Sequence, residues 1–220
     1  MQYLGLALYA EGPNDYRFLS PLLLRLCEAV CTEAQERVDI GDVLALNHAR
    51  VTTDAPRADR IAQAAVEAAS AWNVLFVHAD ADSDVDAALR DREVPGLNLV
   101  QGVGLTRSEG VAVVPVRETE AWTLADGDAL RTVFGTLLGD AELGLTASGK
   151  ALERVADPKQ MLAATFAAAR PGRRRSRSGM GHLLNALGEQ VALQRLRELP
   201  SFMRLELELR EALLRLHILC

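Results

Sequence analysis

Short, nearly unbroken apolar runs alternate with segments of helical spacing up to about Leu130, and helical spacing alone continues beyond it. Tyr3 to Ala10 is an apolar run of strand length, closed by Glu11-Gly12-Pro13-Asn14-Asp15. From Tyr16 into the thirties, Phe18, Leu19, Leu22, Leu23 and Leu26 recur at helical spacing. Strand, tight turn and helix is the reading, with Pro13 suited to the turn or to the first helical turn. Val43 to Leu46 predicts a short second strand and Arg57 to Ala71 an alanine-rich helix. Val74 to Val77 is a run apolar on both faces, the signature of a parallel strand, and it leads into His78-Ala79-Asp80-Ala81-Asp82-Ser83-Asp84. A helix over Val85 to Arg92, a glycine-rich stretch and a strand over Val111 to Val116 complete the alternation.

This pattern predicts an α/β core with a parallel, Rossmann-like sheet over residues 1–130. Residues 131–220 are expected to form a helical extension packed on it, with helices over Lys150 to Val155, Pro158 to Ala169, His182 to Leu187 and Phe202 to Leu219. The last of these would either finish the core or form a face for a homo-oligomer. A polar, arginine-rich segment, Arg170 to Gly179, interrupts the helices.

The composition is that of an ordinary folded protein, 49% hydrophobic and 25% charged over 220 residues. No apolar run approaches the roughly 20 residues that span a bilayer, so a cytoplasmic protein without membrane contact is expected. Cys27, Cys31 and Cys220 read as reduced thiols rather than a zinc site. A net charge of −6 argues against a global field that attracts nucleic acid, so any such contact must be local.

The chemistry-bearing residues collect after the strands. Glu11 and Asp15 follow the first, Asp80 and Asp82 the central one, and Glu118 and Glu120 the third. Open α/β sheets bind ligands at the carboxyl ends of their strands. Asp80 and Asp82, two apart, would point to one side if extended. Carboxylates held together repel unless a cation compensates them. An all-oxygen set suits Mg²⁺, with Mn²⁺ as a substitute, and two such ions about 3.5–4 Å apart serve phosphodiester displacement.

LALYAEGPNDYRFLSPLL resembles the first TOPRIM motif, a strand ending in Glu-Gly with an Asp three residues after the Gly, and VLFVHADADSD resembles the second, ending in Asp-x-Asp. The chain is also similar to a small TOPRIM-like family through VVPVRETEAWTLAD, ADPKQML and SFMRLELELREAL, in that order, so the resemblance covers nearly its whole length. It implies a TOPRIM-like fold, Glu11 as general acid/base or first metal contact, Asp80 and Asp82 as metal ligands, and Asp15 as ligand of a second ion. It also implies an ATPase partner and a place in prokaryotic anti-phage defence loci.

Each residue has a plainer reading beside the functional one. Glu11 and Asp15 suit the start of a helix, and Asp84 and Asp126 suit caps. Trp122 and His78 read as core. Glu120, with Glu118 as its rival, completes the metal set or stays outside it. Lys159, in Asp157-Pro158-Lys159, either brings a cation to the scissile phosphate or is solvated. Arg173, Arg174, Arg175 and Arg177 either hold a nucleic-acid backbone or form a solvated or partner-docking loop. The expected function is a Mg²⁺-dependent phosphodiesterase, an endonuclease acting on DNA or RNA. The alternative is a non-catalytic regulatory subunit of an ATPase complex, and a nucleotide-processing enzyme comes third.

Overall fold

A computed structural model describes residues 1–46, 54–170 and 177–220. Four strands, β1 (Gln2–Tyr9), β2 (Val38–Ala45), β3 (Val74–His78) and β4 (Glu109–Val113), form one sheet in the order β2-β1-β3-β4. All three pairings are parallel. The α/β class and the parallel sheet are therefore as the apolar runs imply.

Alternation along the strands assigns the two faces of the sheet. Leu4, Leu6 and Leu8 of β1 join Val74 and Phe76 of β3 in the larger cluster. Ala7 and Tyr9 join Leu75 and Val77 in the opposite one. The first face is covered by helix α1 (Pro13–Cys31), through Phe18, Leu19, Leu22, Leu23 and Leu26. The second is covered by α2 (Arg57–Glu67) and by α4 (Val94–Gly102), through Ile61 and Val100. Between β3 and α4 lie α3 (Val85–Ala88) and a π-helical turn, Leu89–Glu93.

After β4 the described chain is helical: α5 (Glu120–Thr123), α6 (Gly127–Phe134), a 3-10 turn (Gly149–Arg154), α7 (Pro158–Ala169), α8 (Arg177–Gln190), α9 (Leu193–Leu196) and α10 (Pro200–Arg215). Phe202, Leu205, Leu209 and Leu213 of α10 lie in the same buried cluster as β1 and α1. Arg25 of α1 donates to the carbonyls of Gly188 and Val191, which satisfies the open end of α8.

Several expectations need correction. The second strand is eight residues long and starts at Val38, because it is a sheet edge whose Asp39 and Asp42 break the apolar run. The glycine-rich stretch, for which no element is expected, contains α4. Pro95 sits in its first turn, where a missing N–H costs nothing, and Gly96 allows close packing on Ile61. Lys150 to Val155 is 3-10 rather than α-helical.

Gly5 marks a register shift in the β1–β2 pairing. A Cβ there would lie 2.4 Å from the carbonyl oxygen of Ala71, a backbone atom that cannot step aside alone. Gly5→Ala is expected to cost about 1–3 kcal/mol by overpacking, read as a lower midpoint in urea unfolding. An unchanged midpoint would mean that the 68–73 turn yields freely.

Candidate functional site

The chain passes from β1 to β2 on one side of the sheet and returns to β3 on the other. The carboxyl ends of β1 and β3 therefore flank the switch point where doubly wound sheets open a crevice. Glu11 stands two residues past β1, and Asp80 two residues past β3.

Local sequence fixes the first loop. Gly12 is the N-cap of α1, Pro13 follows it, and the Asp15 carboxylate accepts from the Gly12 N–H at 2.9 Å. Asp15 is thus the third residue of the helix rather than its cap, and its position reciprocates the N-terminus. Glu11 is left free of helix duties. One oxygen lies 3.6 Å from Arg57 Nη1 and 3.8 Å from Arg92 Nη1, charge contacts longer than hydrogen bonds.

The second loop does not continue the strand. Asp82 and Ser83 have positive φ, 50° and 87°, so the extended geometry expected to align Asp80 with Asp82 is absent. The amides of Ala81 and Ser83 pair instead with the carbonyls of Pro115 and Val116. Asp80 Oδ1 accepts from the Thr119 N–H at 3.1 Å and lies 3.3 Å from His78 Nε2. Its other oxygen has no donor among the described residues. Asp82 is held by Arg92 at 3.0 Å. Asp84 caps α3 by accepting from the Ala87 N–H, and Asp126 caps α6.

Arg57 and Arg92, with Glu93, are the members that no motif disclosed. Arg57 opens α2 and donates to the His78 carbonyl at 2.7 Å, to Glu93 at 3.2 Å and to the Arg92 carbonyl. Its guanidinium stacks 5.5 Å over the Tyr9 ring. Arg92 donates to the Asp80 carbonyl at 2.7 Å and to Asp82. In the sequence they are two arginines and a glutamate among helical residues of ordinary surface character. Arg92 and Glu93 are placed by the π-helical turn, a feature frequent at functional sites, and Arg57 by the first turn of α2.

The flanking group is separate. Asp15, Thr119 and Glu120 line one small cleft. Burial raises the Glu120 carboxyl above its usual range, against Lys159, whose Nζ lies 4.0 Å away, with Glu118 and Asp80 adding to the rise. Glu118 accepts from the Lys159 N–H at 3.3 Å. The Lys159 side chain is 67% exposed. His78 is buried and bonded to the Thr119 hydroxyl at 2.9 Å, a core histidine as expected. Trp122 is likewise buried core. Arg173, Arg174 and Arg175 lie outside the described residues, as does the side chain of Arg177, which opens α8.

The donor set bears on which ion would suit the crevice. Among the described residues no group of three or more His, Cys, Asp or Glu is arranged to hold an ion. That count does not suit zinc, which takes three or four protein ligands. Mg²⁺ keeps several waters and is commonly held by one or two carboxylates plus substrate phosphate. Glu11 and Asp80 each keep an oxygen not engaged in a hydrogen bond among the described residues. No helix among the described residues is long and apolar enough to cross a membrane. Comparison of the chain with family models, curated proteins and solved structures found no match.

Glu93 is fully buried, and burial outweighs Arg57 in pushing its carboxyl up to about 7. A raised carboxyl binds its proton more tightly in the fold. The Glu93 contribution to stability is therefore fully present below its usual 4.5 and is lost as the pH rises through about 7, by roughly 3 kcal/mol for a displacement of this size. His78 acts in a window that begins at its usual 6.5 and so overlaps this one. Burial lowers its pKa, but Asp80, Asp15 and Glu93 outweigh burial, so its stabilisation is lost as the pH climbs past the usual imidazole range. Glu93→Gln is expected to flatten the fall that begins at pH 4.5 and, because Glu93 is one of the groups that raise His78, to lessen the later fall as well. Denaturant midpoints of both proteins across pH 4–8 check this, and parallel profiles would refute it.

Proposed function

We propose that this chain is a TOPRIM-like, Mg²⁺-dependent phosphodiesterase that cuts DNA or RNA, with Mn²⁺ able to replace Mg²⁺. The observation that carries the reading is the placement of Glu11 and Asp80. They leave adjacent parallel strands at the switch point of the sheet, with two arginines beside them. Carboxylates for a hard cation and guanidiniums for a phosphate diester are thus in one crevice.

In this reading Glu11 and Asp80 would hold the ion, which when bound would supply positive charge to the phosphate and help activate water. Glu11 accepts the proton of the attacking water, the phosphorus–oxygen bond to the leaving group breaks, and the leaving oxygen takes a proton from solvent. Thr119 and His78 fix Asp80, so that its second oxygen keeps its aim. Asp15 and Glu120 line a small cleft together with Thr119, the residue that bonds Asp80, and would serve a second ion. Asp82 joins the site from its arginine contact. Lys159 and the Arg173 to Arg177 segment steady the nucleic-acid backbone.

One observation favours a second reading, a non-catalytic interaction subunit working beside an ATPase: Glu11 and Asp82 already face arginines. Incubating labelled plasmid, single-stranded DNA and RNA with Mg²⁺, Mn²⁺ or EDTA separates the two. Metal-dependent cutting of at least one substrate is the expected result. No cutting, with no metal binding by titration, would leave the second reading.

A further inference from the structure

Of the two arginines in the crevice, Arg57 is the one with a terminal nitrogen to spare. Both terminal nitrogens of Arg92 are engaged, Nη1 by the Asp80 carbonyl at 2.7 Å and Nη2 by Asp82 at 3.0 Å. On Arg57, Nε donates to the Arg92 carbonyl at 3.2 Å, and Nη2 donates to the His78 carbonyl at 2.7 Å and to Glu93 Oε1 at 3.2 Å. Its Nη1 makes no hydrogen bond among the described residues and is not one of the buried atoms that lack partners, so solvent reaches it. It faces Glu11 at 3.6 Å, a charge contact too long to use its N–H groups.

Glu93 is the acidic side chain that bonds this guanidinium. It is fully buried, and its other oxygen, Oε2, is buried without a partner. An acid sealed in this way costs stability that apolar packing at the same position would not. Its use lies in Arg57. With a proton on Oε2 the carboxyl still accepts at Oε1, and burial favours that neutral form. Neutral Glu93 fixes the guanidinium without cancelling its charge. The Tyr9 ring, 5.5 Å from the guanidinium carbon, and the two backbone carbonyls close its other directions.

We propose that Arg57 receives the substrate phosphate through Nη1 and that Glu93 is the positioning residue that holds it in place to do so. The proposal rests on the phosphodiesterase reading, and it needs no ion at Glu11. A guanidinium bonded at Nε and Nη2 offers its remaining nitrogen in one direction, so a non-bridging phosphate oxygen that meets Nη1 is set beside Glu11, the acceptor of the water's proton. Arg57 then lies between two anions and offsets their repulsion.

Fluorescence anisotropy of a fluorescein-labelled single-stranded DNA, with Ca²⁺ or EDTA in place of Mg²⁺ so that the strand stays intact, tests this. The proteins compared are wild type, Arg57→Gln, Arg57→Lys, Glu93→Leu, Glu93→Gln and the double variant Arg57→Gln/Glu93→Leu. Arg57→Gln is expected to weaken binding about tenfold, the scale of one charge-assisted hydrogen bond. Arg57→Lys keeps the charge but loses the fork, and should also bind more weakly than wild type. Glu93→Leu keeps the bulk without an acceptor and should lose as much as Arg57→Gln, whereas Glu93→Gln keeps the acceptor and should bind within about twofold of wild type. The double variant should bind no more weakly than Arg57→Gln, because Glu93 acts through Arg57, while a general structural loss at Glu93 would add to it. Wild-type affinity in Arg57→Gln, Arg57→Lys or Glu93→Leu, failure of Glu93→Gln to restore what Glu93→Leu loses, or losses that add in the double variant would overturn the proposal and leave the phosphodiesterase reading standing. No DNA binding by wild type with either Ca²⁺ or EDTA would remove both.

Discussion

Asp80→Asn and Glu11→Gln are each expected to lower metal-dependent cleavage by about a thousandfold or more, the scale on which the loss of a ligand or an electrostatic stabiliser at a phosphoryl site is felt. Both substitutions keep the shape of the side chain and remove its charge. In Asp80→Asn the carboxamide retains an oxygen for the Thr119 N–H that Asp80 now engages, and Glu11 makes no hydrogen bond that the fold depends on. The melting temperature should therefore stay close to that of the wild type, which separates lost chemistry from lost structure. Lys159→Ala is the internal contrast. With its ammonium exposed and 4.0 Å from Glu120, it should cost no more than about tenfold. If either carboxamide variant cut within threefold of wild type, that residue would not be part of the chemistry.

The largest expected effect on stability is at Trp122. It is buried, its indole N–H donates to Ser201 at 2.9 Å, and its ring meets Phe202 edge to face at 5.3 Å. The Trp122 side chain thus fastens α5 to α10, and the Ser201 N–H, donating to Glu153, ties the start of α10 to the 3-10 turn. Trp122→Ala should cost about 3–5 kcal/mol, the range for deleting a large buried aromatic, with Ser201 left without its donor. Because Thr119 and Glu120 stand just before Trp122, this variant should also lose activity at temperatures where it is still folded. Trp122→Phe, which keeps the ring but not the N–H, should recover most of the stability. A loss below about 1 kcal/mol in Trp122→Ala would contradict the role given to this anchor.

The sheet was legible because its strands are apolar on both faces: β1 and β3 sit inside it, covered by helices on both sides, so no polar position interrupts Leu6 to Ala10 or Val74 to Val77. The edge strand β2 was half hidden, because exposure lets Asp39 and Asp42 into it. Helix α4 was hidden by Pro95 and Gly96, which mark loops unless tertiary packing, here on Ile61, overrides them. In the site, the carboxylates were legible from their places after the strands. Their partners were not, since Arg57, Arg92 and Glu93 meet through a π-helical turn that no periodicity announces. The relation of Asp80 to Asp82 was also misjudged, because positive φ at Asp82 and Ser83 turns the chain where an extended strand would have continued.

The central claim is that a divalent cation is held between the ends of β1 and β3. Anomalous diffraction from crystals grown with Mn²⁺ and a non-hydrolysable phosphorothioate oligonucleotide tests it most directly. A manganese peak within bonding distance of the Glu11 and Asp80 carboxylates is the predicted result. No peak in the crevice, with Arg57 and Arg92 still facing Glu11, would contradict it.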